Sequence, residues 1–123
     1  MARVILVVDD SETVRKLLTL TLKMKGYQTV TAGDGMEALE RLAVGSVDLV
    51  ITDLNMPEMD GYELVSTIRR QGPNKDIPVI MLSTEGEEED RRRGLDAGVD
   101  LYLTKPASPQ QLLSSVEKLL VSV

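Results

Sequence analysis

Carboxylates, a hydroxyl and an amine follow four of the five short apolar segments of this 123-residue chain. Asp9 and Asp10 follow the first segment, Asp53 the third, Ser83 the fourth and Lys105 the fifth. Hard oxygen ligands favour Mg²⁺, and an aspartate can attack phosphorus to give an aspartyl phosphate. The transfer needs positive charge and hydrogen-bond donors around the phosphoryl oxygens, which an ammonium and a hydroxyl supply. These residue types therefore indicate metal-assisted phosphoryl transfer to a carboxylate.

The absence of His and Cys narrows the alternatives. Without cysteine there are no disulfides, thiolate metal sites or cysteine nucleophiles. Without histidine there is no imidazole base, no His-liganded zinc and no phosphohistidine in this chain. The net charge of −6 argues against general binding to nucleic acid, whose phosphates would be repelled. Catalysis must then rely on carboxylates, hydroxyls, amines and a hard metal ion.

The elements that would position these groups alternate between two patterns. Short apolar runs predict strands, and three of them are continuous enough to be covered on both faces. The five runs are 4–8, 29–32, 49–52, 79–82 and 101–104. Helical apolar stripes lie between or after them, at 14–21, 36–43, 64–68 and 112–120. This βα repeat predicts one α/β domain over residues 1–123, with a parallel sheet and helices on both faces.

Parallel strands place their carboxyl ends at one edge of the sheet, where ligands bind in this class of fold. Each group alone has a structural interpretation as well. Asp10 or Ser11 is suited to cap the first helix, Ser83 to cap the next one, and Lys105-Pro106 is an ordinary surface pair. Their joint placement, each at the end of a strand in one small sheet, favours a common site.

These motifs resemble the response-regulator receiver family, including its single-domain CheY-like type, over essentially the whole chain. They are Val-Val-Asp9-Asp10-Ser11, Asp53-Leu-Asn-Met-Pro-Glu-Met-Asp-Gly61, Val79-Ile-Met-Leu-Ser83, Asp96-Ala-Gly98 and Lys105-Pro106. The resemblance implies a flavodoxin-like (βα)₅ doubly wound fold with the strand order 2-1-3-4-5. It also implies a Mg²⁺-dependent switch, with Mn²⁺ as a substitute ion.

By this resemblance Asp53 accepts the phosphoryl group and also binds the metal. Asp10 would coordinate Mg²⁺ directly, and Asp9 through water or more weakly. The backbone carbonyl of Asn55 would complete the protein ligands.

The resemblance also assigns groups that respond to the phosphoryl group. Lys105 would pair with Asp53 before transfer and with the phosphate afterwards, next to a Lys105–Pro106 bond that is typically cis in the family. Ser83 would hydrogen-bond the phosphoryl group, and Tyr102 matches an aromatic switch position that moves inward with it. Positions that tune the dephosphorylation rate are Asn55, Thr84 and Glu85.

The expected partners are a histidine kinase as phosphodonor, a downstream protein at the face of the fourth helix, fifth strand and fifth helix, and a phosphatase. The predicted fourth helix, around 87–97, has little apolar anchorage, which suits a movable surface. No nucleic-acid or membrane partner is expected, and the location is cytoplasmic. The output would be that of a stand-alone receiver in chemotaxis-like control or a phosphorelay, or of one piece of a larger regulator.

Three other functions compete with this interpretation. An Asp-nucleophile phosphohydrolase needs a second acid two residues from the nucleophile on the first strand, whereas Asp9 and Asp10 are adjacent. A flavodoxin-like electron carrier needs a phosphate loop after that strand and aromatic rings to stack on a flavin, whereas this chain has no Ser/Thr/Gly-rich loop there and only three Tyr, with no Trp or Phe. A receiver that signals without phosphate would not require the full set of site residues. The expected molecule is a signalling switch that catalyses only its own phosphorylation and dephosphorylation, not an enzyme.

Overall fold

Five strands and four helices make up the part of the chain that the computed structural model describes, residues 2–70, 74–84, 92–93 and 96–121. In chain order they are β1 Val4–Val8, α1 Glu12–Met24, β2 Gln28–Ala32, α2 Gly35–Val44, β3 Leu49–Asp53, α3 Gly61–Arg70, β4 Val79–Ser83, β5 Leu101–Thr104 and α4 Pro109–Val121. Helix α4 is the predicted fifth helix.

All five strands are parallel and lie in the order β2-β1-β3-β4-β5. This confirms the predicted flavodoxin-like arrangement. Strands β3 and β4 are buried at every position, while β2, at one edge of the sheet, is mostly half-exposed. The difference matches the sequence, because continuous aliphatic runs suit strands covered on both faces and the Thr-rich run of β2 suits an edge.

Alternation along each strand divides the apolar side chains between two cores. In β1, Ile5 and Val7 pack with α1 and α4 on one face, and Leu6 and Val8 pack with α2 and α3 on the other. Because successive strand side chains point to opposite faces, a five-residue strand serves both layers. The helices therefore cover both faces of the sheet, as the doubly wound prediction requires.

Each of the helices α1 to α4 is preceded by a residue whose side-chain oxygen accepts a backbone N–H three positions later in the chain. Such a cap is worth about 1 kcal/mol because it satisfies an N–H that has no partner within the helix. The caps are Ser11 to Val14, Asp34 to Glu37, Asp60 to Glu63 and Ser108 to Gln111. Of the two residues that the sequence left open for α1, Ser11 is the cap, so Asp10 is not used in this way.

Two predicted apolar stripes are only partly buried. Leu17 in α1 is 61% exposed and Met36 in α2 is 56% exposed, whereas Leu64 and Val65 of α3 are fully buried. The helical period was correct for α1 and α2, but their apolar faces are wider than the contact with the sheet. Side chains at the margin of such a stripe remain in water.

Most of the predicted fourth helix lies outside the described residues. Arg92, Arg93, Asp96 and Ala97 are helical, and Arg93 places its guanidinium 4.5 Å from the ring centre of Tyr62 in α3. Among the described helices, none combines the length and apolar character needed to cross a membrane.

Candidate functional site

The candidate site lies at the carboxyl edge of the sheet. Asp9 follows the last residue of β1, Asp53 ends β3, Ser83 ends β4 and Lys105 follows the last residue of β5. Parallel pairing aligns these ends, since β3 lies between β1 and β4, and β4 pairs with β5. The fold therefore brings together groups that are far apart in the sequence.

Three of these groups form an acidic cluster. One carboxylate oxygen from each of Asp9, Asp10 and Asp53 lies within 4.8 Å of the others. Asp9 is 2% exposed and Asp53 6% exposed, whereas Asp10 faces solvent. Two buried acids and one exposed acid thus meet at a point that is open on one side.

Lys105 joins the two buried acids. Its Nζ lies 3.0 Å from Asp53 Oδ1 and 3.1 Å from Asp9 Oδ2. Its backbone N–H donates to the carbonyl of Ser83 at 2.7 Å, which continues the β4–β5 pairing past the strand ends. The Lys105–Pro106 peptide bond is cis. The ammonium is therefore held between β1 and β3 by a chain that enters from β5.

The charges at this site do not balance. Burial raises the pKa of Asp53, the charges of Asp9 and Asp10 raise it further, and the hydrogen bond from Lys105 does not cancel these effects. Burial also disfavours the Lys105 ammonium, but hydrogen bonds and charges of Asp53 and Asp9 outweigh burial and raise the pKa of Lys105. A raised pKa disfavours the charged form of Asp53 but favours the charged form of Lys105. The reason is that Lys105 pairs with two acids, whereas Asp53 has one cation and two other acids around it.

This donor set fits a divalent cation. The three acids contribute only oxygen atoms, which Mg²⁺ and Mn²⁺ accept. They outnumber the Lys105 ammonium, which pairs with Asp9 and Asp53 and is the one cation paired with these carboxylates among the described residues. A divalent ion beside Asp10 would offset the repulsion that raises the pKa of Asp53. The exposed position of Asp10 leaves room for the metal-bound waters that Mg²⁺ usually retains.

The loop after β3, which contains Asn55, is close-packed where it returns to the strand end. The N–H of Gly61 donates to the carbonyl of Leu54 at 2.8 Å, which closes the loop onto the end of β3. A Cβ on Gly61 would lie 2.8 Å from the carbonyl oxygen of Asp53 and 2.9 Å from the Met81 side chain. The loop can close only because residue 61 has no side chain. Asn55 itself is exposed.

The remaining predicted residues have different surroundings. Ser83 is completely buried at the end of β4, and the neighbouring Thr84 is exposed. Tyr102 is 7% exposed and packs in the core with Met81, so its side chain lies inward in this structure. Glu85, predicted to tune the dephosphorylation rate, lies outside the described residues.

Sequence reasoning did not identify Arg15. Its Nη1 donates to the backbone carbonyl of Asp9 at 2.6 Å. The same acid accepts the N–H of Ser11 on Oδ1 at 2.9 Å. The available signal was the spacing, because a long cationic side chain four residues after a helix cap can turn back toward the preceding loop. An arginine at that position is too common for the signal to stand alone.

Comparisons with known proteins agree with this geometry. A family model described as response regulator receiver domain matches residues 5–117. Chemotaxis protein CheY1 of Helicobacter pylori is 43% identical over 118 residues, which cover 94% of this chain and 95% of that protein. The solved structure of chemotaxis response regulator CheY4 of Vibrio cholerae has a TM-score of 0.92 at 38% identity, with 98% of this chain and 100% of that chain covered.

Relatives of a different length also match. Phosphate regulon transcriptional regulatory protein PhoB of Escherichia coli is 40% identical over 117 residues, which cover 95% of this chain and 51% of that protein. The chain therefore spans about half the length of the transcriptional regulators that it matches.

Proposed function

Because this chain belongs to the response regulator receiver domain family of two-component signal transduction, we propose that Asp53 is its phosphoryl acceptor. We take residues 1–123 as one receiver domain. The observation that carries the proposal is the position of Lys105, whose ammonium bridges Asp53 and Asp9 beside the exposed Asp10.

The contacts of the two buried acids favour Asp53 over Asp9 as the acceptor. Asp9 uses both carboxylate oxygens, one for the N–H of Ser11 and one for Lys105. Asp53 is held through Oδ1 by Lys105, and no other partner of its carboxylate occurs among the described residues. An oxygen without a hydrogen bond is the better nucleophile, and the raised pKa of Asp53 indicates a more basic carboxylate.

The proposed reaction exchanges one phosphorus bond for another. An Asp53 carboxylate oxygen attacks the phosphorus of a phosphohistidine on the donor kinase, the P–O bond forms, and the P–N bond breaks. The electron pair of that bond leaves with the imidazole nitrogen of the donor, which then takes up a proton. Lys105 offsets negative charge on the transferred group. A bound Mg²⁺ would supply further charge compensation at the same oxygens.

The other residues have supporting roles in this proposal. Asp10 would coordinate Mg²⁺ directly, Asp53 would also bind it, Asp9 would bind more weakly or through water, and the Asn55 carbonyl would complete the protein ligands. Ser83 contacts the phosphoryl group after transfer, and its movement is coupled to Tyr102. Thr84 lies at the exposed edge, where its side chain limits access of water to Asp53 and so tunes the lifetime of the phosphorylated state.

The family membership replaces the phosphohydrolase and electron-carrier alternatives with a signalling switch. Within that class we propose that the chain catalyses only its own phosphorylation and dephosphorylation. A histidine kinase is the expected donor. We further propose a cytoplasmic location, a protein target at the face of the segment before β5, β5 itself and α4, and a phosphatase that resets the switch.

The output is proposed to be contact with another protein. CheY1 of Helicobacter pylori, a chemotaxis protein, is similar over nearly its whole length, which supports chemotaxis-like control. A phosphorelay is the other proposed output of a stand-alone receiver. The match to half of PhoB supports a receiver that works in a larger regulator. Phosphorylation-dependent capture of targets by the complete natural protein would separate these outputs.

The acceptor is tested with a small phosphodonor. Incubation with acetyl phosphate and Mg²⁺ should add one phosphoryl group to the wild type, detected by intact-protein mass spectrometry. Asp53→Asn should abolish the adduct, because an amide is a poor nucleophile. Asp76→Asn, which alters an exposed acid away from the site, is the matched control and should be labelled like the wild type. Full labelling of Asp53→Asn would contradict the assignment.

A further inference from the structure

Arg15 holds the peptide group that joins two of the acids. The carbonyl that accepts its Nη1 at 2.6 Å belongs to Asp9, and this carbonyl is part of the peptide bond between Asp9 and Asp10. The orientation of a planar peptide group sets the direction in which the next residue leaves the chain. The contact therefore helps to determine the position of Asp10. The Asp10 side chain is exposed, so packing does not fix its position.

The guanidinium lies where the ends of two strands meet. The N–H of Asp9 donates to the carbonyl of Ala32 at the end of β2, at 3.1 Å. A Cβ on Gly33, the next residue, would lie 3.4 Å from Arg15 Nη1. The guanidinium therefore lies beside Gly33 at contact distance, and Arg15 reaches from α1 to both strand ends.

Its contact differs from that of Lys105 in an important respect. Lys105 pairs with the carboxylate oxygens of Asp9 and Asp53, which are the atoms that a metal ion needs. Arg15 instead binds a neutral carbonyl and leaves those oxygens available. An arginine in this position can hold the acidic loop in place while Lys105 moves toward a phosphoryl group.

We propose that Arg15 is a positioning residue for the magnesium site. Arg15 fixes the peptide group between Asp9 and Asp10, so that the Asp10 side chain points toward the other two acids of the cluster. This inference rests on the proposed function. It predicts that Arg15 contributes to metal affinity without touching the metal ion, as groups that hold metal ligands generally do.

The test measures Mg²⁺ binding without a phosphodonor, by isothermal titration calorimetry on the complete chain. Arg15→Met should raise the dissociation constant about 10-fold, the lower end of the effect of such supporting groups. Arg15→Lys, which keeps a charged donor, should recover most of the affinity. Lys16→Met is the matched control, because the exposed Lys16 side chain pairs, among the described residues, with the exposed Glu12 alone and carries the same charge one residue away. Its dissociation constant should stay at the wild-type value.

A second readout separates positioning from general damage to the fold. With acetyl phosphate, Arg15→Met should need about 10-fold more Mg²⁺ for half-maximal phosphorylation, while the rate at saturating Mg²⁺ stays within about twofold of the wild type. A fall in the saturated rate without a change in the Mg²⁺ requirement would overturn the inference. If Arg15→Met fails to fold, Arg15→Gln, which keeps a polar side chain but lacks the guanidinium, takes its place in the same comparison: a raised dissociation constant supports the role and wild-type affinity opposes it.

The outcomes for the inference and for the proposed function are distinct. A wild type that binds no Mg²⁺ overturns the magnesium site and the role of Arg15 with it. A wild type that binds Mg²⁺, together with unchanged binding by Arg15→Met, overturns the inference alone. Tighter binding by Arg15→Met would also overturn it, because Arg15 would then act only as a repelling charge.

Discussion

Two polar clusters of this domain combine cations and carboxylates in different proportions. The site cluster, at the carboxyl edge of the sheet, consists of Asp9, Asp10, Asp53 and Lys105. It has three acids for one ammonium, and the pKa of Asp53 is raised as a result of burial and of the neighbouring acids.

The second cluster, here the Arg69 cluster, surrounds one guanidinium in α3. Arg69 donates to the carbonyls of Lys75, Ile77 and Gly98 at 2.6–3.0 Å, and to Asp100 Oδ2 at 2.9 Å. The same Asp100 oxygen accepts the N–H of Val79 at the start of β4. The cluster ties α3 to the segments that enter β4 and β5.

The two clusters show how the same groups serve different ends. In the Arg69 cluster one cation is matched by one acid and by neutral carbonyls, so each contact supports the folded state. In the site cluster the acids are in excess, so the folded state keeps a repulsion that a metal ion or a lost charge would relieve. The first arrangement favours stability, and the second favours reactivity at a cost in stability.

The largest expected effect is on the Arg69 cluster. Arg69→Met should lower the free energy of unfolding by about 2–4 kcal/mol, because several carbonyls and Asp100 lose a charged donor. Urea denaturation followed by circular dichroism measures the change. Arg70→Met is the control, since Arg70 is exposed and, within the described residues, its side chain donates to a single group, the Ser66 carbonyl of its own helix. It should stay within about 0.5 kcal/mol of the wild type. An equal fall in the free energy of unfolding of both variants would mean that the Arg69 contacts stabilise the fold no more than those of Arg70.

An Asp→Asn exchange should have opposite signs in the two clusters. Asp53→Asn should stabilise the metal-free protein by about 0.5–2 kcal/mol, the usual gain when a functional site loses its strain. Asp100→Asn should destabilise it by about 1 kcal/mol, because the charged partner of Arg69 becomes a neutral amide. The same denaturation experiment, in the presence of a metal chelator, compares both. Destabilisation by Asp53→Asn would remove the contrast on which the comparison rests.

Much of the site was predictable because its parts lie at strand ends. The runs 49–52 and 79–82 identify central strands by composition alone, and the topology then brings Asp53 and Ser83 to one edge. In a parallel sheet, residues that end neighbouring strands therefore lie close together even when they are far apart in the sequence. The resemblance to receivers supplied the strand order, which periodicity does not contain.

The remaining contacts depend on side chains that reach backbone atoms of distant segments. Arg69 donates to the carbonyl of Gly98, 29 positions away. The sequence does not indicate which backbone carbonyls will accept a hydrogen bond from a side chain. Arg15 was not predicted for a related reason, because its partner, six positions earlier, is a main-chain carbonyl rather than a side chain. Leu17 and Met36 show the related limit for packing, because a helical stripe gives the direction of the core but not the width of the contact.

The smallest expected effect is the pH dependence of the Asp53 contribution. Because the folded-state pKa of Asp53 lies above the ordinary value of 3.8, the folded state binds this proton more tightly than the unfolded chain. Its favourable contribution is therefore complete below that value and is lost as pH rises through the raised pKa. Lys105 stays charged throughout, since its pKa is raised from 10.5.

The stability gap between Asp53→Asn and the wild type isolates this contribution, because other acids titrate in both proteins. Without metal, the gap should be widest at pH values above the raised pKa of Asp53 and should narrow as the pH falls through it, by no more than the full gain of the substitution. Urea denaturation at each pH measures it, with Asp76→Asn against the wild type as a comparison that should stay flat. A gap that widens toward low pH would mean that the folded state lowers the pKa of Asp53, and that Lys105 outweighs both burial and the two neighbouring acids.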